Sequence, residues 1–317
     1  MIRFLDMREK LKDKDYPCLC LFGNDGWVRH KAVSNVCEAY NVPNDGFSVD
    51  VLESPVFDDI KLACATPALF CDKKIVVCEN FVLPQGAKAQ TVKKDISALI
   101  SRCDGSYCLV FVTDTDKGFD FDGMEKVNCN RLDKDSICKW IISYGKRQQV
   151  TIERLAAEKL AQYCLNDMSR VAIETQKLID YGEVTLTSVE DLVHKDAEYV
   201  VYDLSQFIVR KNAERALELY RGLIVSGEEP RALFGLLYNF YRRAYYVKTA
   251  ACSAEEIAGL LGVKTGAVEF AKDTAVRYKP MQLKKALELF ETADSKLKAF
   301  LDENEVMNML IMQLIAL

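Results

Sequence analysis

Two hydrophobic patterns alternate along the first half of the chain. Short runs of mostly apolar residues are typical of strands in a parallel sheet, and they lie at Cys18–Phe22, Phe47–Leu52, Lys74–Cys78, Tyr107–Thr113 and Lys126–Asn130. Between these runs, apolar residues recur every three or four positions, which predicts helices. These helices are predicted near Val28–Ala39 and at Asp58–Ala65, Ala89–Arg102 and Asp133–Tyr144. The alternation predicts a three-layer α/β domain with a mostly parallel sheet.

The strand pattern disappears after residue 145. A unit of three helices is predicted next, at Ile152–Cys164, at Met168–Tyr181 and after the capping-box sequence Thr187-Ser188-Val189-Glu190. Further helices are predicted at Val200–Val209, Ala213–Val225, Pro230–Thr249, Ala254–Leu261, Thr265–Tyr278, Met281–Leu301 and Glu305–Leu317. We therefore expect an α/β domain over residues 1–145, a small all-α domain over 146–196 and a second all-α domain over 197–317.

Composition narrows the class of protein. The 317 residues are 50% hydrophobic, yet no run reaches the roughly 18 apolar residues that a membrane helix needs. The charged N-terminal segment is unlike a signal peptide, so we expect a soluble, cytoplasmic protein. Twelve cysteines show no C-x-x-C spacing and only two histidines accompany them. We therefore expect buried thiols in a reducing compartment, with no metal site.

The segment Leu21–Lys31 is typical of a nucleotide-binding turn in its order of strand, glycines and helix. It lacks the Gly-Lys-Ser/Thr sequence of a working P-loop, and Trp27 and Val28 stand where a triphosphate would need space. Asp25 is placed to cap the helix and repel phosphate. We expect no functional P-loop here, no cofactor and no catalytic residues, although ATP hydrolysis by this chain is kept as a hypothesis to test.

Two segments are candidates for contact with nucleic acid. The net charge of −5 argues against bulk electrostatic binding, but Gln206–Lys248 carries eight basic against four acidic residues. Within it, Tyr241, Arg242, Arg243 and Tyr245 are candidates for DNA contact, and an ordinary packed helix explains them equally well. Residues 257–278 fit a helix-turn-helix, so a DNA-binding regulator is an alternative function. Their would-be recognition helix carries Glu269 and Asp273, which favours an ordinary helical hairpin.

The segment Thr66-Pro67-Ala68-Leu69-Phe70 interrupts a predicted helix just before the Lys74–Cys78 strand. Pro67 disfavours a helical conformation at Thr66. Adjacent Leu69 and Phe70 are either packed into the core or exposed as an apolar tip for a partner. The residues alone favour the core.

Several segments, taken in order, resemble the delta-subunit family of the bacterial DNA polymerase III clamp loader. They are Leu21–Asp25, Ala65–Val77, Leu165–Arg170, Tyr181–Gly182, Thr185–Val193 and Ser226–Pro230. The resemblance implies an AAA+-like base domain (residues 1–145), a helical lid (146–196) and a helical collar (197–317).

This resemblance also implies a function. Delta subunits join ATPase subunits and delta-prime in a five-membered ring, bind the sliding clamp (beta) and favour its opening for loading onto primed DNA, without hydrolysing ATP. A Leu-Phe pair at a helix tip binds the clamp, and the matching positions are Leu69 and Phe70, flanked by Pro67 and Ala68. The resemblance therefore reverses the preference for a core position at this pair.

Overall fold

The computed structural model describes residues 1–68, 71–84, 86–299 and 302–317 of the chain. Its compact units are residues 1–136 and residues 137–317. The predicted division into domains 1–145, 146–196 and 197–317 stays a prediction.

The first unit is built on a parallel sheet. Its described strands are β1 (Ile2–Arg3), β2 (Cys18–Phe22), β3 (Val49–Glu53), β4 (Lys74–Glu79), β5 (Tyr107–Thr113) and β6 (Met124–Asn128). The spatial order is β1-β6-β2-β5-β4-β3. Every neighbouring pair is parallel, and Cys18 of β2 is in register with Leu109 of β5 and Met124 of β6. Strand β2 therefore lies inside the sheet, where its five residues are all buried.

Helices cover both faces of this sheet. They are α1 (Met7–Asp13), α2 (Gly26–Ala39), α3 (Phe57–Ala65) and α4 (Ala87–Ser101). On one face, Ile60 of α3 and Ile96 of α4 join Phe111 of β5 in a single apolar cluster. Successive strand side chains point to opposite faces, so Leu19 and Leu21 of β2 face the other layer, where α2 contacts β2.

The second unit is helical in the part of the chain that the structure describes. It contains most of α5 (Lys134–Arg147), followed by α6 (Arg154–Tyr163), α7 (Met168–Tyr181) and α8 (Leu186–Leu192). The carboxylate of Asp167 caps α7 by accepting from the N–H groups of Ser169 and Arg170, and Gly182 ends the helix with φ 114°. These are the favoured residue types at the two ends of a helix.

A helical bundle completes this unit. Its helices are α9 (Ala197–Val209), α10 (Ala213–Val225), α11 (Pro230–Thr249), α12 (Ala254–Leu261), α13 (Thr265–Ala275), α14 (Pro280–Lys298) and α15 (Glu303–Ile315). Helix α11 is central and packs against α9, α13, α14 and α15. Its buried side chains include Leu233, Leu237 and Phe240, which recur at the spacing of one helix face.

The predicted fold class, a parallel α/β unit followed by helices, is confirmed. Three local predictions were wrong or incomplete. Strand β1 and helix α1 were missed, and the cap of α8 is Thr185 rather than Thr187, because the Thr185 side chain accepts from the Ser188 N–H. The predicted cap Asp25 is confirmed.

Candidate functional site

The turn after β2 brings two backbone segments unusually close. The Gly23 N–H donates to the Thr113 carbonyl at 3.1 Å, and φ at Gly23 is +154°. A Cβ atom at Gly23 would lie 2.2 Å from the carbonyl carbon of Cys129. Glycine is therefore needed here so that the segment after β6 can cross the end of β2.

Two side chains of this chain form hydrogen bonds with backbone groups of the turn. Asp25 accepts from the Val28 N–H at 3.0 Å, as predicted for a helix cap. The Arg29 guanidinium donates to the Gly23 carbonyl at 2.5 Å and forms an ion pair with Asp114, which follows β5. A bound phosphate would have to compete with the carboxylates of Asp25 and Asp114.

A pair of asparagines joins the same turn to the segment after β6. The Asn24 N–H donates to the Asn130 side-chain oxygen at 3.1 Å, and the Arg131 N–H donates to the Asn24 side-chain oxygen at 2.9 Å. The turn thus has the frame of a phosphate loop, but its groups are bound to neighbours within the chain.

The second candidate site is the segment between α3 and β4. Helix α3 ends at Ala65, and Thr66 adopts an extended conformation with ψ 117°, as expected before a proline. Pro67 is exposed and Ala68 is half-buried. The predicted clamp-binding residues Leu69 and Phe70 lie outside the described residues.

A buried lysine lies at the C-terminal end of this segment. Lys74, the first residue of β4, is 3% exposed. Its Nζ lies 2.6 Å from the Asp50 carboxylate, 3.2 Å from the Ala63 carbonyl and 3.3 Å from the Thr66 carbonyl. The sequence prediction missed this role because the three partners are far from Lys74 along the chain. The sequence feature that could have indicated this role is a lysine at the first position of a mostly apolar strand.

The neighbouring lysine holds the other end of the segment. Lys73 forms an ion pair with Asp15, and its Nζ lies 4.2 Å from the centroid of the Tyr40 ring. The Cys71 thiol donates to the Lys73 carbonyl at 3.0 Å. Both ends of the segment are therefore fixed to the α/β unit.

The predicted DNA-contact residues divide between the core and the surface of the bundle. Tyr241 is fully buried, with its hydroxyl 3.3 Å from that of Tyr278, and burial raises the pKa of Tyr241 well above its ordinary value. Arg243 is 2% exposed and donates to the Glu198 carboxylate. These two side chains serve packing in this fold and are not available to DNA.

Arg242 and Tyr245 have surface that solvent can reach. Both are half-buried on α11, and the Arg242 guanidinium carbon lies 5.9 Å from the centroid of the Tyr238 ring. Exposed Tyr246 lies beside Tyr245, with ring centroids 6.3 Å apart. The prediction of DNA contact is retained for Arg242 and Tyr245.

The alternative helix-turn-helix at residues 257–278 is an α12–α13 hairpin joined at Gly262, where φ is +64°. Gly266, Ala267 and Val268 in the first turn of α13 are buried, and α13 packs against α11 and α9. A recognition helix presents its first turn to base edges. The start of α13 is instead inside the bundle, so we do not retain this alternative.

Metal sites and membrane-spanning helices are both absent from the described residues. Among them, no group of three or more His, Cys, Asp or Glu side chains is placed to hold a metal ion. No described helix combines the length and apolar composition needed to cross a membrane.

Comparisons with known proteins bear on the whole chain. Residues 198–314 match the family model of the DNA polymerase III delta subunit, C-terminal domain. The DNA polymerase III subunit delta of Bacillus subtilis (strain 168) is 23% identical over 309 residues, which cover 90% of this chain and 89% of the relative. The predicted resemblance to DNA polymerase III delta subunits is confirmed.

Two more matches agree with this delta-subunit resemblance. A probable DNA polymerase III subunit delta of Aquifex aeolicus (strain VF5) is 26% identical over 136 residues, covering 41% of this chain and 39% of that protein. The solved structure of the Bacillus subtilis DNA clamp loader delta protein (YqeN) covers 99% of this chain and 100% of its own, with a TM-score of 0.73 and 20% identity. At this identity the structural match establishes a shared fold.

Proposed function

We propose that this chain is a clamp-loader subunit that binds the ring-shaped sliding clamp (beta) and favours an opened clamp interface. Leu69 and Phe70 bind the clamp, and Pro67 and Ala68 shape the segment that carries them. The chain works in the cytoplasm within a five-membered ring with ATPase subunits and delta-prime, and it places the clamp on primed DNA.

One observation carries this proposal. A DNA polymerase III subunit delta matches 90% of this chain, so the likeness extends over all three predicted domains rather than over one module. A solved clamp-loader delta protein supports it with the same fold over 99% of this chain. The alternative of a helix-turn-helix regulator has no comparable support, because α13 is packed in the bundle.

The described residues on either side of Leu69 and Phe70 support this assignment. Thr66 and Pro67, which lead into the pair, are exposed, and the segment is held at both ends by Lys73 and Lys74. Aromatic and aliphatic anchors that enter an apolar pocket are the residues that dominate protein interfaces. Leu69 and Phe70 fit this chemistry.

Clamp opening follows from a difference in affinity. A protein that binds the opened ring more tightly than the closed ring shifts the equilibrium towards opening by that difference in binding free energy. The clamp-binding tip supplies the binding energy in this scheme. In this scheme the ATPase partners bind the nucleotide that controls access to the clamp-binding tip. This chain does not take that role, because the turn after Gly23 is hydrogen-bonded to Asn130 and ion-paired with Asp114.

The experiment compares three forms of the chain for binding to immobilised clamp. Truncation of an interface anchor costs about 2 kcal/mol or more, so Leu69→Ala with Phe70→Ala is expected to weaken binding by about a thousandfold. A matched control is Leu260→Ala with Val276→Ala, which shortens two side chains that are 80% and 71% exposed in the second unit. We expect this control to bind as the wild type does.

Circular dichroism of all three forms shows whether each remains folded. Clamp binding by the folded Leu69/Phe70 variant at wild-type affinity would contradict the assignment of the tip. Absence of clamp binding by the wild-type chain would contradict the proposed function itself.

A further inference from the structure

The ammonium group of Lys74 has an ion pair and two hydrogen bonds. An ammonium has three N–H donors, and the Lys74 Nζ has three oxygens near it, from Asp50, Ala63 and Thr66, at 2.6, 3.2 and 3.3 Å. Lysine is rarely buried unless it is paired, and Lys74 is 3% exposed. Its burial is therefore supported by one carboxylate and two backbone carbonyl groups.

These partners belong to different parts of the first unit. Asp50 lies on β3, whereas Ala63 and Thr66 lie at the C-terminal end of α3. The last carbonyl groups of a helix lack partners within the helix, and the helix dipole favours a cation beside them. Lys74 follows the tip segment in sequence, yet it caps the helix that precedes it.

This contact closes the segment 66–73 across its base. The start of the segment is tied to Lys74 through the Thr66 carbonyl, and the Thr66 hydroxyl donates back to the Leu62 carbonyl at 2.9 Å. The end of the segment is continuous with Lys74 itself and is held by Lys73 on Asp15. Both described ends of the segment are therefore held by contacts within the first unit.

We propose that Lys74 is a positioning residue for the clamp-binding tip. Its ammonium holds the end of α3 against the start of β4, and these are the two elements between which Leu69 and Phe70 lie in the sequence. A segment ordered before binding loses less conformational entropy when it binds, which raises affinity without adding a contact. This inference rests on the proposed clamp-binding function.

The test uses Lys74→Met, which keeps an unbranched side chain of similar length and removes the charge. The matched control is Lys126→Met, because Lys126 on β6 is another lysine of the same unit with two carboxylate partners, Asp120 at 2.6 Å and Asp116 at 3.2 Å. Both variants lose ion pairs of the α/β unit, but only Lys74 contacts the tip segment.

The first measurement is hydrogen exchange of the backbone amides of residues 66–73 in the full chain. We expect faster exchange in Lys74→Met and wild-type exchange in Lys126→Met. A merely stabilising role for Lys74 would instead accelerate exchange across the whole sheet or leave the segment unchanged. Either of these outcomes overturns the inference.

The second measurement is clamp affinity under conditions in which circular dichroism shows every variant to be folded. We expect Lys74→Met to bind about tenfold more weakly than the wild type, and Lys126→Met to bind equally well. Equal affinity of Lys74→Met and the wild type overturns the positioning role while leaving the proposed function intact. Absence of binding by the wild type overturns the proposed function, and the positioning role for clamp binding falls with it.

Discussion

Arg243 on α11 donates through both terminal nitrogens to the two carboxylate oxygens of Glu198 on α9. The arginine is 2% exposed and the Glu198 side chain 22% exposed, so this ion pair is largely shielded from water. Removing one partner of such a pair leaves an uncompensated charge in a poorly hydrated place. The pair therefore has a structural role in joining two helices of the bundle.

We expect Arg243→Ala to lower the free energy of unfolding of the helical unit by about 3 kcal/mol. The matched control is Arg215→Ala, because Arg215 pairs with Glu218 three residues later and both side chains are more than 60% exposed. An exposed pair of this kind contributes about 0–1 kcal/mol. Urea unfolding followed by circular dichroism measures both effects, and equal losses for the two variants would contradict the structural role of Arg243.

For the proposed clamp-loader assembly, we expect DNA binding to depend on Arg242 and Tyr245. Each cation that contacts a phosphate adds about 1 to the slope of log affinity against log salt concentration. We expect Arg242→Ala to reduce that slope by about 1, and Tyr245→Ala to weaken binding through lost stacking. Fluorescence anisotropy with primed DNA over a series of salt concentrations measures both quantities.

Arg215→Ala is the charge-matched control for this experiment, because it removes an exposed arginine from α10 of the same unit. An unchanged salt slope for Arg242→Ala would place the DNA contacts of the bundle elsewhere.

Substitution of Gly23, in the turn after β2, and of Gly26, at the start of α2, is expected to change the free energy of unfolding in opposite directions. Gly23→Ala forces a Cβ to within 2.2 Å of the Cys129 backbone, and we expect it to destabilise the α/β unit by about 3 kcal/mol. Gly26 opens α2, and a Cβ atom there would meet no other part of the chain within 4 Å. We expect Gly26→Ala to stabilise the unit by about 0.5–1 kcal/mol, because alanine restricts the unfolded chain.

Chemical denaturation of both glycine variants provides the measurement. Similar effects of the two substitutions would show that the turn is less closely packed than the distances at Gly23 indicate.

Local sequence signals predicted much of the fold. Strands β2 and β5 and helix α7 have the predicted bounds, since continuous apolar runs and end-capping residues depend only on nearby positions. Strand β1 has two residues, which is too short for any periodicity. The cap of α8 was misplaced because Thr185 and Thr187 are both suitable residue types, and the hydrogen bonds with Ser188 decide between them.

The candidate sites were harder to predict because they depend on contacts between distant segments. Tyr241 lies on the apolar face of α11, so its burial could be predicted from the periodicity of that helix. The burial of Arg243 depends on Glu198 of another helix. Lys74 likewise meets Asp50 and Thr66 only after the sheet and α3 have packed.

Alkaline conditions are expected to destabilise the α/β unit because its thiols are buried. Burial raises the pKa of Cys20 from about 9 to about 12, so the unfolded chain releases this proton at lower pH than the folded chain does. The resulting stability is fully present below pH 9 and is lost as pH rises towards 12, at about 1.4 kcal/mol per pH unit for one thiol. Urea midpoints between pH 8 and 10.5 should fall less steeply for Cys20→Ala than for the wild type. Cys252→Ala, at an exposed thiol, should follow the wild type, and parallel curves for all three proteins would contradict the linkage.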